Sequence, residues 1–233
     1  MVEQPVVDVL HDATQRLVRA VDGLVPEAWR GPSLLPGWTR AHVVAHLVLN
    51  AEGLAGALAG VVANRPTPMY ASQEARDADI EELAGHAPGD LRDRLLASTT
   101  LFADALAAVP HDRWATTIER TAGSDRTFTA GGSVGMRWRE VEIHHVDLAS
   151  DYTRADWPRD FGVHLVEAMT TRPGGPRGLV ALATDVDRSW TLGDGGPVVS
   201  GSAADLGWWL TGRGNGEGLT TSDGIELPRM GAL

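Results

Sequence analysis

Apolar residues along the first two thirds of the chain return at helical intervals. Val6, Leu10, Leu17 and Val21 stand four or seven apart and draw a single stripe. The proline- and glycine-rich stretch "VPEAWRGPSLLPG" breaks that helix. Thr39 is a suitable N-cap for a second one, which the pattern carries to about Val62. This helix is greasy around most of its circumference, yet it holds His42 and His46. "ANRPTPMYAS" reads as a loop, because Pro66 and Pro68 forbid helical hydrogen bonding. "EARDADIEELAG" predicts a short charged helix stopped at "APGD". Leu91, Leu95, Phe102, Leu106 and Val109 mark another long one. After a Thr/Gly-rich connection, "GGSVGMRWREVEIHHVDLAS" supplies the last. Four long helices pack most simply as an antiparallel bundle.

Near residue 150 the pattern changes. More than half of the 27 glycines fall beyond that point, so elements there must be short. "PRDFGVHLVEAMTT" predicts a helix, and "GLVALATDV", "RSWTLGD" and "GPVVSG" predict strands. "SAADLGWWLTGR" predicts a closing helix whose S-x-x-D start has the form of a capping box. The expected fold class is α+β, with an N-terminal four-helix bundle over 1–152 and a small C-terminal α/β domain over 153–233.

Composition narrows the function. A formal charge of −11 without any basic run argues against nucleic acid and weakly against an anionic membrane surface. The N-terminus lacks the basic start and unbroken apolar core of a signal peptide. No window approaches the roughly 20 apolar residues that span a bilayer, so a cytoplasmic chain is expected. There is no cysteine, which excludes disulfides, cysteine zinc sites and a cysteine nucleophile. There is no lysine either, since all 20 basic residues are arginine, and Schiff-base catalysis is thereby excluded. A monomer is expected.

The candidate chemistry lies in the bundle. Glu140 and His144 are four apart and share a helix face, which Arg137 and Asp147 flank. His46 sits among Val43, Val44, Leu47 and Val48 and is expected to be buried. If the two helices pack, His46, Glu140 and His144 meet as two imidazoles and a carboxylate, a common catalytic metal set. The plainer alternative makes Glu140 and His144 a surface pair, and His46 a hydrogen-bonded core histidine. Asp147 and Arg137 either support the ligands or pair with each other. His42 falls in the first helical turn, where a polar residue needs no special reason, and His145 points away from the face. Trp208 and Trp209 read as packing residues, and Trp138 as core or pocket lining.

Four stretches, "SLLPGWTRAHVVAHLVLNAEGL", "PTPMYASQEARDADIEEL", "MRWREVEIHHVDL" and "VVSGSAADLGWWLTGRG", carry a family resemblance. In order they resemble the first metal-histidine segment, the segment that follows it, the Glu-x-x-x-His motif and the C-terminal block of the mycothiol-dependent maleylpyruvate isomerases, of the DinB-like metalloenzyme superfamily. The resemblance implies a DinB-like bundle, with a divalent metal, zinc, on His46, Glu140 and His144. It implies an active-site arginine, Arg213, from the C-terminal domain, and it implies mycothiol as the thiol cofactor. The implied reaction turns cis maleylpyruvate, a product of gentisate breakdown, into trans fumarylpyruvate. A thiolate adds to the double bond, the resulting single bond rotates, and the thiolate leaves. Only the ionised thiol is nucleophilic, and a cation that coordinates it removes its proton. Arg213 would then hold a substrate carboxylate or stabilise an enolate. By spacing alone it reads rather as a surface arginine at a helix C-terminus. Two other functions remain open at this stage. A mycothiol S-transferase would use the same metal on another electrophile, and a zinc-binding regulator would bind without catalysis.

Overall fold

The computed structural model describes residues 4–172, 177–224 and 226–231. They form two compact units, Met1–Asp151 and Tyr152–Leu233.

The first unit holds four long helices: α1 (Gln4–Asp22), α2 (Arg40–Val62), α4 (Pro88–Ala107) and α5 (Gly132–Asp147). A shorter α3 (Gln73–Ala84) lies against α2. α2 is the central element and packs on α3, α4 and α5, while α1 closes the bundle against α4 and α5. Its residues explain that position. Val43, Val44, Ala45 and Ala57 face four different sides of the helix, and all are buried. A helix apolar all round must be covered all round. On α1 the stripe of Leu10, Leu17 and Val21 is buried as the periodicity requires, while the side chain of Val6 lies outside the described residues. On α4 the faces of Leu91, Leu95, Phe102 and Leu106 are buried. That helix begins within "APGD", with Pro88 in its first turn, where its missing N–H has no partner to lose.

One expectation is corrected. α2 does have the length and mean hydropathy, 1.4 over its most apolar window, of a bilayer-spanning helix. Within the bundle 72% of that window is buried, so its apolar residues are spent on core packing.

The Thr/Gly-rich connection before α5 also holds more than a loop. β1 (Thr117–Glu119) and β2 (Thr127–Thr129) pair antiparallel, with Ile118 opposite Phe128. The loop after α2 then pairs with the end of β1, where the N–H groups of Met69 and Tyr70 donate to the carbonyls of Glu119 and Arg120, each at 3.0 Å. Three-residue strands offer too few positions for an alternating pattern to be legible in sequence.

The second unit contains α6 (Arg159–Thr170), α7 (Ala203–Leu210) and a four-stranded sheet. Its strands are β3 (Leu179–Ala183), β4 (Arg188–Leu192), β5 (Val198–Gly201) and the short β6 (Thr220–Thr221), in the order β4-β3-β5-β6. β3 runs parallel to β5, and the two outer pairings are antiparallel. Ser202 caps α7, accepting from the Asp205 N–H at 3.0 Å as its S-x-x-D start predicts. Leu206 and Trp209 are buried on α7, which packs on α6 where Gly207 leaves no room for a Cβ beside Leu165.

Candidate metal centre

α2 and α5 bring three side chains together across 94 to 98 residues of sequence. His46 Nε2 lies 2.8 Å from Glu140 Oε2, and His144 Nε2 lies 3.3 Å from the same oxygen. The two imidazole rings stand edge-on with centroids 4.5 Å apart. One donor atom from each residue falls within 4.8 Å of the others. Ligand atoms around a tetrahedral ion with bonds of about 2.1 Å are separated by roughly 3.4 Å, so this donor set fits a divalent cation of zinc's size with small side-chain adjustments. The imidazoles are buried, with 5% and 11% of their side chains exposed, whereas Glu140 keeps 24%. The cluster is therefore covered on most sides and reachable from Glu140's.

Electrostatics favour the ligating forms of His46 and Glu140. Burial and then the neighbouring His144 push the His46 pKa down to about 4, which keeps this imidazole neutral near pH 7. Burial alone would raise the pKa of Glu140, but hydrogen bonds from His144 and His46 outweigh it and hold the carboxyl well below its usual range. Burial opposes charging of His144, while Asp147 and Glu140 favour it and raise its pKa overall. A neutral imidazole and an ionised carboxylate are what a metal requires of its ligands.

The surroundings separate the flanking residues. Asp147 is fully buried and sits 2.9 Å from His144 Nδ1, close enough for an ion pair although the ring N–H is not aimed at the oxygen. A carboxylate behind a ligand histidine raises its basicity. Arg137 does something else. Its Nη1 donates to the Leu47 carbonyl at 2.8 Å and to Asn50 Oδ1 at 2.7 Å, tying α5 to α2 one turn beyond His46. Burial lowers its pKa to about 10. Of the two roles open to this pair in the sequence, support of the site fits both, through different helices. Arg76 was invisible to spacing. It reaches from α3, and its Nη2 is 3.0 Å from His46 Nδ1.

His42 serves the fold. The Thr39 N–H donates to its Nδ1 at 3.3 Å, its Nε2 lies 3.3 Å from Glu81, and it stacks on Trp38. It thus closes the N-terminus of α2. His145 and Trp138 are buried in the bundle, and Trp208 and Trp209 in the second unit. Arg213 follows α7 in the second unit, half-buried, its guanidinium carbon 5.6 Å from the centre of the Trp208 ring.

The fold and the cluster define a class: a helical-bundle protein with the two-histidine, one-carboxylate donor set of metal-dependent enzymes, joined to a small α/β unit. Residues 10–149 match the family model of the mycothiol maleylpyruvate isomerase N-terminal domain. A crystal structure of the mycothiol-dependent maleylpyruvate isomerase superposes with a TM-score of 0.88 and 31% identity, over 99% of this chain and 96% of that one. The structure of a histidine-to-alanine variant of that isomerase gives the same values. No curated protein matches. This chain belongs to the mycothiol maleylpyruvate isomerase family.

Proposed function

We propose that this protein catalyses the mycothiol-dependent isomerisation of maleylpyruvate to fumarylpyruvate in the cytoplasm, with zinc held by His46, Glu140 and His144. The observation that carries the proposal is the meeting of those three donors inside the bundle of a chain from this family. Bound cation and bound thiol together would supply an ionised sulfhydryl, the nucleophile that makes the cis double bond temporarily rotatable. The chain has no cysteine of its own, so the sulfur must come from outside.

The residues' own work is positioning. His46 offers a neutral nitrogen, His144 a second imidazole that Asp147 keeps basic, and Glu140 negative charge. Arg137 holds α5 against α2 and so fixes the distance between the ligand-bearing turns. Burial of both imidazoles strengthens every electrostatic interaction made there. Arg213 is assigned to a substrate carboxylate or to the enolate that forms on addition.

The test is metal content together with mycothiol-dependent isomerisation, measured on wild type, His46→Ala and Arg213→Ala. His46→Ala should lose both metal and activity. Arg213→Ala should keep its metal and lose activity. Tight 1:1 metal in His46→Ala would overturn the ligand assignment. A wild type that conjugates mycothiol to other electrophiles and leaves maleylpyruvate unchanged would overturn the isomerase reading in favour of a transferase.

A further inference from the structure

The loop after α2 carries Tyr70 within electrostatic reach of Glu140, and two arginines lie over its ring. Tyr70 is fixed from two sides. Its N–H donates to the Arg120 carbonyl, and the absence of a side chain at Gly53 lets the loop lie on α2. A Cβ at Gly53 would stand 2.8 Å from the Met69 carbonyl oxygen and 3.3 Å from the Tyr70 ring. Arg76 from α3 and Arg120 from the end of β1 each place the guanidinium carbon 5.8 Å from the centre of that ring. Arg76 also touches His46, so this pair of cations is one side chain away from the donor cluster.

The charges around Tyr70 are unbalanced. The Arg120 side chain makes no hydrogen bond or ion pair among the described residues, although it is half-buried. Arg76 has Asp77 at 2.7 Å, but that carboxylate is 57% exposed and its attraction is screened by water. The buried Nε of Arg76 has no partner. Glu140 is within electrostatic reach of both Tyr70 and Arg120. If Glu140 serves a cation, it cannot also neutralise two guanidiniums. A histidine that offers Nε2 to a cation carries its proton on Nδ1, so Arg76 cannot donate there and its Nη2 is left for another acceptor. Two guanidiniums over one phenol ring, within electrostatic reach of each other, suit a planar carboxylate, which accepts paired N–H bonds.

We propose that Arg76, Arg120 and Tyr70 form a carboxylate-binding subsite beside the triad, which holds one end of a small dicarboxylate electrophile while its double bond faces the sulfur. This rests on the isomerase reading for the identity of the electrophile. Maleylpyruvate carries a carboxylate at each end and can offer one of them to this pair of guanidiniums.

The probe is maleate, a cis dicarboxylate, titrated calorimetrically into zinc-loaded wild type, Arg120→Met, Arg120→Lys and Arg76→Gln, with zinc stoichiometry measured on each. A lost charge-assisted hydrogen bond corresponds to roughly a 10- to 100-fold weaker maleate Kd in Arg120→Met and in Arg76→Gln. Arg120→Lys should recover part of the loss, zinc should stay at 1:1, and the KM for maleylpyruvate should rise more than kcat falls. Wild-type maleate affinity in both Arg120→Met and Arg76→Gln, or no maleate binding by wild type, would overturn the subsite. Because maleate binding needs no turnover, the two readings fail separately. A wild type that binds zinc and maleate without isomerising maleylpyruvate sinks the functional reading and supports the subsite. Isomerisation with maleate affinity unchanged by the substitutions does the reverse.

Discussion

Replacing Asp147 tests whether the cluster is built for a metal or is merely a buried hydrogen-bond network. Asp147 has no exposed surface, and its Oδ2 lies 2.9 Å from His144 Nδ1. The carboxylate raises the pKa of that imidazole, an effect that depends on its charge. Asp147→Asn keeps the shape and removes the charge, so it should lose nearly as much as Asp147→Ala. Loss of such a carboxylate behind a ligand imidazole costs about 10- to 100-fold in metal affinity, or about 1.4–2.7 kcal/mol. The backbone carbonyl of Asp147 accepts from Leu34 at 2.9 Å, an anchor that both substitutions leave in place. The assay is competition for zinc against a chromophoric chelator at pH 7, with circular dichroism confirming helix content. An Asp147→Asn protein that folds and binds zinc within twofold of wild type would refute the reasoning.

Three further outcomes follow from the same geometry. With a chelator present, stability in urea should fall as pH drops from about 6.5 toward 4. His46 has a folded pKa of about 4 against 6.5 unfolded, so across that window the unfolded chain binds the extra proton. The raised pKa of His144 acts oppositely, its contribution being complete below 6.5 and lost as pH rises through its folded value. His46→Gln should flatten the acid decline, and an unchanged slope would count against it. Gly53→Ala should cost about 1–3 kcal/mol by thermal unfolding, less the gain of up to ~1 kcal/mol from alanine's helix propensity. Through Tyr70 it should also weaken maleate binding, and normal affinity would show that the loop does not need that close approach. His42→Ala should lose about 1 kcal/mol of stability at the start of α2 while zinc stays at 1:1. A loss of metal there would mean that the histidine does more than close the helix.

The sequence by itself determined the helices, because burial along one helix leaves a local, periodic mark. Leu10, Leu17 and Val21 are spaced for one stripe, and they are buried. It also determined which chemistry was excluded, since the chain has no cysteine and no lysine. The Glu140 and His144 spacing put two donors on one face, His46 in its apolar helix offered a third, and resemblance to the family favoured that set over a core histidine and a surface pair.

What sequence did not carry was everything set by contact between elements. The hairpin of β1 and β2 is too short to leave an alternating pattern, so the backbone pairing that seats Tyr70 beside Arg120 was illegible. Arg76 sits in a helix read only as charged, and nothing in its neighbours says that it turns inward to His46. Arg137 and Asp147 looked equivalent on one face, yet one binds the backbone of α2 and the other supports His144. Hydrogen bonds and ion pairs between distant segments depend on where two helices cross and how their side chains interleave. Those are properties of the packed bundle, and periodicity along one strand of sequence cannot encode them.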